Sequence, residues 1–292
     1  MATHFPIIVI IGPTASGKTA LAIELARKYD GEIVCADSRT LYTGMDIGTA
    51  KPSMEEREGI PHYGLDLALP SERYTAADFK QYAERKIEEI RAKSKQPIIV
   101  GGTGLYVDSL IFDYQFPRPM TAMERERFEN MTREDLIKYC VENNINLPED
   151  DKNKRRLLRS ISASGATDQR KSRPNDDTII VGIATSRQKL ESRIAVRTEH
   201  MFDNGVVEEA TLLGKKYGWN AEAMTSNVYR AVKQHLDGEL SLQDAMDKFT
   251  TRDIQLAKRQ MTWFRRNPYI EWCQVTEAND YVGRRLATEY NL

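Results

Sequence analysis

The most constraining stretch of the sequence is an apolar run, Pro6-Ile7-Ile8-Val9-Ile10-Ile11, that passes directly into Gly12-Pro13-Thr14-Ala15-Ser16-Gly17-Lys18-Thr19. A short β-branched run, apolar on both faces, reads as a strand buried in a parallel sheet. The eight residues after it match G-x-x-x-x-G-K-[ST]. Leu21, Leu25 and Tyr29 then recur at helical spacing, with Gly31 read as the helix stop. Strand, glycine loop and helix in that order make a cradle for phosphate. The glycines let backbone N–H groups turn inward, and the helix N-terminus adds a favourable dipole. Lys18 neutralises phosphate oxygens, and the Thr19 hydroxyl is a ligand for Mg²⁺. Gly12, Pro13, Thr14, Ala15, Ser16, Gly17, Lys18 and Thr19 are therefore the candidate site for a di- or triphosphate. A chance Gly-rich turn is the alternative, and the flanking strand and helix weigh against it.

Further strands alternate with helices. Glu32 to Ala36 reads as a second strand, ending in Asp37-Ser38. Thr75 reads as an N-cap with Asp78 three residues on, followed by the helical stripe Phe79, Tyr82, Ala83, Ile87 and Ile90. Pro97 introduces Ile98-Ile99-Val100, which runs into Gly101-Gly102-Thr103-Gly104, and Thr178 to Ala184 is a further strand. This alternation predicts an α/β fold with a parallel sheet and flanking helices. Residues 116–175 are charged, helical in pattern and free of a convincing strand, so they read as a small helical insertion domain within a core of residues 1–115 and 176–292. After Ala184 the pattern is helical: Leu190, Ile194 and Met201 up to Gly205, then Val206 to Leu213, then Leu242 to about Phe264.

Composition narrows the function classes. With 40% apolar and 29% charged residues in 292, the chain is an ordinary globular one rather than disordered. Its longest aliphatic run, Ile7 to Ile11, falls far short of the roughly 20 residues a membrane span needs. The start, Met1 to Pro6, shows no basic region of a signal. Cys35, Cys140 and Cys273 are scattered, which argues against a disulfide framework or a zinc site and for a reducing cytoplasm. The net charge of −1 excludes a general polycation, but two basic tracts stand out. Lys152, Lys154, Arg155, Arg156, Arg159, Arg170, Lys171 and Arg173 face one acid, Asp168; Arg252, Lys258, Arg259, Arg265 and Arg266 face Asp253. Each tract alone reads as a solvated helix face; two of them beside a phosphate loop point to an anionic partner.

The reaction is narrowed by where the carboxylates fall. A Mg²⁺-holding Asp at the end of a later strand, as in most NTPases, is replaced here by Gly-Gly-Thr-Gly. The strand-end carboxylate is Asp37, and the carboxyl ends of neighbouring parallel strands line one crevice. A carboxylate facing the phosphate site can deprotonate an incoming nucleophile, which describes group transfer to an acceptor. Asp37-Ser38 as a turn or cap is the alternative. Gly101 to Gly104 reads either as a tight turn or as close approach of a substrate to backbone.

GPTASGKT at Gly12 to Thr19, ADSRTLYTGMDIGTAKP at Ala36 to Pro52, YTAADF at Tyr74 to Phe79 and GGTGLYVDSL at Gly101 to Leu110 resemble the bacterial tRNA dimethylallyltransferases. So do Leu190-Glu191-Ser192-Arg193-Ile194 and Ala257-Lys258-Arg259-Gln260-Met261-Thr262-Trp263-Phe264-Arg265, in order over most of the chain. The resemblance implies a P-loop kinase-like core with a helical insertion that swivels over tRNA. It implies Mg²⁺-assisted transfer of a dimethylallyl group from dimethylallyl diphosphate to N6 of the adenosine 3′ of the anticodon; separately, the chain is expected to be cytoplasmic and a monomer. Asp37 is then the general base, and Lys18, Thr19, Thr103 and Arg193 complete the catalytic set. Arg193 and Arg197, one helical turn on, reach the diphosphate. Ser38, Arg39, Thr40 and Thr103 hold the target nucleotide. Arg155, Arg156, Leu157, Leu158 and Arg159, with Lys258, Arg259 and Gln260, contact the anticodon stem-loop. The chain departs from the family where Val228-Tyr229-Arg230-Ala231 replaces the usual Gly-Tyr-Lys-Glu. A P-loop kinase for a small molecule or nucleoside, and a catalytically impaired tRNA-binding relative, are the competing readings.

Overall fold

A computed structural model describes residues 5–116, 120–163 and 170–290; Met1 and Asp168 fall outside them. Apolar β-branched runs form the centre. The strands β1 (Ile7–Ile11), β2 (Gly31–Cys35), β3 (His62–Tyr63), β4 (Gln96–Gly101), β5 (Thr178–Ile183) and β6 (Glu271–Cys273) make one sheet in the order β3-β2-β4-β1-β5-β6. Every pairing is parallel, with Ile8 opposite Ile98 and Ile179, and Ile33 opposite Ile98. The first crossover from β1 runs toward β2 while β5 lies on β1's other side, so the sheet's crevice opens beyond the carboxyl end of β1.

Helices cover both faces because both faces of the central strands are apolar. On one face α1 (Lys18–Lys28) and α11 (Val275–Arg285) pack Leu21, Leu25, Ala278 and Val282 onto Ile8, Ile10, Ile33 and Ile98. On the other lie α2 (Ala76–Ala92) and α3 (Gly104–Ile111). Thr75 caps α2 through a reciprocal pair with Asp78, and Phe79 stacks on Tyr106 of α3. The stop of α1 differs from the sequence reading. The helix ends at Lys28, the left-handed residue is Asp30 (φ 48°), and Gly31 opens β2. Gly31 is needed for space: a Cβ there would lie 2.8 Å from the carbonyl oxygen of Gln96. All three cysteines are buried and free, and among the described residues no helix is long and apolar enough to cross a membrane.

Beyond β5 follow α7 (Arg187–Asp203), α8 (Val206–Tyr217), α9 (Asn227–Leu236) and α10 (Leu242–Phe264), with α10 against α7 and α9. The chain divides into two compact units, residues 1–111 with 174–292, and residues 112–173. The smaller unit has α4 (Ala122–Glu129), α5 (Arg133–Glu142) and α6 (Lys154–Ala163), and an apolar centre of its own formed by Phe128, Leu136, Cys140, Ile145, Leu157 and Ile161. Thr121 with Glu124, and Thr132 with Asp135, close capping boxes on α4 and α5.

Candidate active site

The loop after β1 folds back on itself through the Ser16 N–H donating to the Pro13 carbonyl at 3.2 Å. Gly17, at φ 95°, takes the left-handed conformation that turns the chain into α1, a conformation costly for other residues. Two arginines from α7 stand at this loop. Arg193 donates through Nη1 to the carbonyls of Ala15 (3.2 Å) and Ser16 (3.1 Å). Arg197 donates through Nη1 to Thr14 Oγ1 at 2.5 Å and pairs through Nη2 with Asp253. Five N–H donors per guanidinium leave both arginines further capacity for an anion.

Lys18 donates to the Pro13 carbonyl at 3.2 Å. Burial pulls its ammonium down from 10.5 to about 8, against the opposing attraction of Asp37. The folded value lies below the unfolded one, so the unfolded chain holds the extra proton between those limits. This group therefore favours folding increasingly as pH rises from about 8 to 10.5. An arriving anion favours the protonated form and restores the charge. Affinity for inorganic pyrophosphate, measured by calorimetry, should fall as pH rises through 8, with proton uptake on binding. Lys18→Arg, which cannot deprotonate, should lose that dependence.

The opposite side of the cavity is built at the ends of β2 and β4. The Asp37 carboxylate accepts from the Arg39 N–H at 2.8 Å, so it does close a turn, and it also faces the cavity that holds Lys18. Thr103 Oγ1 accepts from the Ser38 N–H at 3.0 Å and lies 3.3 Å from Ser38 Oγ. Arg39 donates to the carbonyls of Glu222 (3.3 Å) and Ala223 (3.4 Å). Thr40 is buried with its hydroxyl unpartnered. The cavity measures about 210 Å³; Thr14, Lys18, Asp37, Arg197, Asp253 and Gln260 line its polar part, and Met201, Val228 and Phe249 its apolar part. Thr19 lines a neighbouring groove with Ala20, Glu24 and Arg27.

Gln260 joins the two sides. The Thr14 N–H donates to its Oε1 at 2.9 Å, and its Nε2 donates to the Gly102 carbonyl at 3.0 Å. The glycines of the 101–104 turn are explained by protein neighbours rather than by a substrate. A Cβ on Gly101 would lie 2.0 Å from the Ala36 oxygen, on Gly102 2.5 Å from Gln260 Nε2, and on Gly104 2.2 Å from the Trp263 ring. Trp263 is anchored there by its Nε1 donating to Asp108 at 2.8 Å, while Phe264 is buried core.

The basic tracts are each exposed on their own unit. Arg155, Arg156 and Arg159 lie on the outer side of α6, which Lys154 anchors by donating to the carbonyls of Glu129 and Met131. Leu157 differs from its expected place at an RNA contact: it is fully buried in the apolar centre of that unit, against which Leu158 packs. Lys258 and Arg259 are exposed on α10.

Two carboxylates at this site are not legible in the sequence. One is Asp253. The other is Glu209, which accepts from the N–H groups of Asp46 (2.8 Å), Ile47 (2.7 Å) and Gly48 (2.8 Å) and from the Tyr229 hydroxyl (2.7 Å). In sequence it is the second of two acids in the first turn of a helix, where solvated acids are common. In the structure it pins the loop that carries Gly48 and Thr49 into the cavity wall. Glu209→Ala should cost about 2 kcal/mol or more, since several donors lose a charged acceptor. Glu209→Gln should recover part of that in denaturant unfolding.

A parallel sheet, a G-x-x-x-x-G-K-[ST] loop after its first strand and a carboxylate across a shared cavity define a P-loop α/β protein. A family model described as IPP transferase matches residues 40–267. The tRNA dimethylallyltransferase of Macrococcus caseolyticus is 40% identical over 93% of this chain and 91% of its own length, and that of Acetivibrio thermocellus 39% over 93% and 92%. The crystal structure of the Staphylococcus epidermidis tRNA delta(2)-isopentenylpyrophosphate transferase superposes with a TM-score of 0.73 at 34% identity, covering 97% of this chain and all of that one. The chain belongs to the IPP transferase family.

Proposed function

We propose that the chain transfers a dimethylallyl group from dimethylallyl diphosphate to N6 of the adenosine immediately 3′ of the anticodon in tRNA. Family membership supports the reaction, and one observation supports the site: Lys18 and Asp37 face the same cavity of about 210 Å³. The adenine amino nitrogen is a poor nucleophile, because its lone pair is delocalised into the ring. Asp37 removes its proton as nitrogen bonds the allylic carbon. The carbon–oxygen bond to the diphosphate breaks, and its electron pair leaves with the diphosphate. Lys18, Arg197, Arg193 and the loop amides neutralise the charge that develops there. The adenosine leaves its stack to enter, as in other base-modifying enzymes, and Ser38, Arg39, Thr40 and Thr103 hold it. Arg155, Arg156 and Arg159, and separately Lys258 and Arg259, bind RNA phosphates.

Among the described residues no group of three His, Cys, Asp or Glu could hold a metal. Thr19, which lines the groove beside the cavity, is the residue whose hydroxyl would hold Mg²⁺, an ion that takes few protein ligands at phosphate sites. Bound there, it would supply positive charge to the leaving group.

The test is mass spectrometry of nucleosides from unmodified tRNA incubated with the protein, Mg²⁺ and dimethylallyl diphosphate. A dimethylallyl mass gain at the adenosine next to the anticodon is expected. No gain with tRNA bound would favour the impaired relative. Phosphate transfer from ATP to a small acceptor, with no tRNA binding, would favour the kinase.

A further inference from the structure

The polar part of the cavity holds one carboxylate with no part in the transfer just described. Asp253 sits on α10, 4% exposed. A buried carboxylate is costly unless paired and hydrogen-bonded. Its partner is Arg197, whose side chain is only 25% exposed, and Asn227 also donates to it. Burial pushes the Asp253 carboxyl up, and Arg197 opposes that. The same guanidinium donates to Thr14 Oγ1. It is thus gripped at two corners, by α10 on one side and by the phosphate loop on the other. Its remaining edge nitrogen, Nε, is buried without a partner. Buried donors of that kind are rare in proteins and are met by water or ligand when they occur. Thr250 Oγ1 donates to Thr198 Oγ1 at 3.0 Å, which fixes α10 to α7 one residue beyond Arg197.

We infer that Asp253 is a positioning residue of the donor subsite: it holds Arg197 in one orientation against the phosphate loop, so that the guanidinium meets the diphosphate already aligned. The inference rests on the loop being the diphosphate site. Arg gains over Lys at such places because its planar fork loses little freedom when a partner pre-sets it. The opposite effect is also physical: a carboxylate beside an arriving diphosphate repels it. The two effects have opposite signs, so removing the charge decides between them.

Asp253→Asn keeps the shape and an acceptor, so folding is retained, and a melting curve checks it. Binding of inorganic pyrophosphate is measured by calorimetry, and steady-state kinetics are run with dimethylallyl diphosphate. In Asp253→Asn, pyrophosphate affinity should fall about tenfold, and kcat/KM for the donor should fall by at least as much, because the Arg197 it positions also meets the charge of the leaving diphosphate. In an Arg197→Ala background the same substitution should have little further effect, because the residue it positions is gone. Unchanged or tighter pyrophosphate binding in Asp253→Asn would overturn the inference, and so would an equal loss in the Arg197→Ala background. Failure of the unmutated protein to bind pyrophosphate at all would overturn the diphosphate reading, and this inference with it.

Discussion

Asp37→Ala is expected to lower turnover by roughly 10²–10⁴-fold, the usual range for a lost general base, while leaving pyrophosphate affinity close to that of the unmutated protein. The two sides of the site predict this split. The proposed diphosphate contacts fall to the 12–19 loop with Arg193 and Arg197, which bond to it, whereas Asp37 lies at the end of β2 and accepts from the Arg39 N–H. Asp37→Asn isolates the chemistry further, since the amide oxygen can still accept from the Arg39 N–H but cannot take a proton. Single-turnover dimethylallyl transfer, read by mass spectrometry, measures the effect. Near-normal turnover in either variant would remove Asp37 from the mechanism.

Gly101→Ala should damage both stability and turnover. The added methyl would fall 2.0 Å from the Ala36 oxygen and 2.5 Å from its carbonyl carbon, so the neighbour that must move is backbone. Overpacking costs typically about 1–3 kcal/mol and occasionally more; a backbone neighbour places this case at the top of that range. A cost of about 3 kcal/mol corresponds to a fall of about 6–12 °C in Tm. Ala36 precedes Asp37 directly, so relief of the collision displaces the base. A misplacement of about 1 Å can cost on the order of 10²-fold in rate. A melting curve together with kcat checks both parts, and an unchanged Tm would contradict the close approach of β4 to the end of β2.

What the sequence made legible is local. The buried strands, the phosphate loop, the cap at Thr75 and the strand-end position of Asp37 all depend on neighbours within a few residues. The strands β3 and β6 span two and three residues, too short to show any periodicity. The glycines carried a true signal with a different cause: Gly31 is fixed by the carbonyl oxygen of Gln96 in β4, and Gly101 by that of Ala36, the residue after β2. Arg197 with Asp253, Gln260 with Thr14, and Glu209 with residues 46–48 join positions that are far apart in the chain. Only folding brings those pairs together. Leu157 shows the same limit in reverse, since its place in an arginine-rich run concealed that it faces an apolar centre.

The apolar centre of residues 112–173 bears on how this protein's stability is to be read. Phe128, Leu136, Cys140 and Ile161 cluster with Leu157 within their own unit, and the sheet has its core in the other. A chain with two cores need not melt as one body, and a single midpoint then averages over two transitions. Calorimetry should be fitted with that in mind. A truncation at Leu157 would register on one transition, and a methyl group at Gly101 on the other.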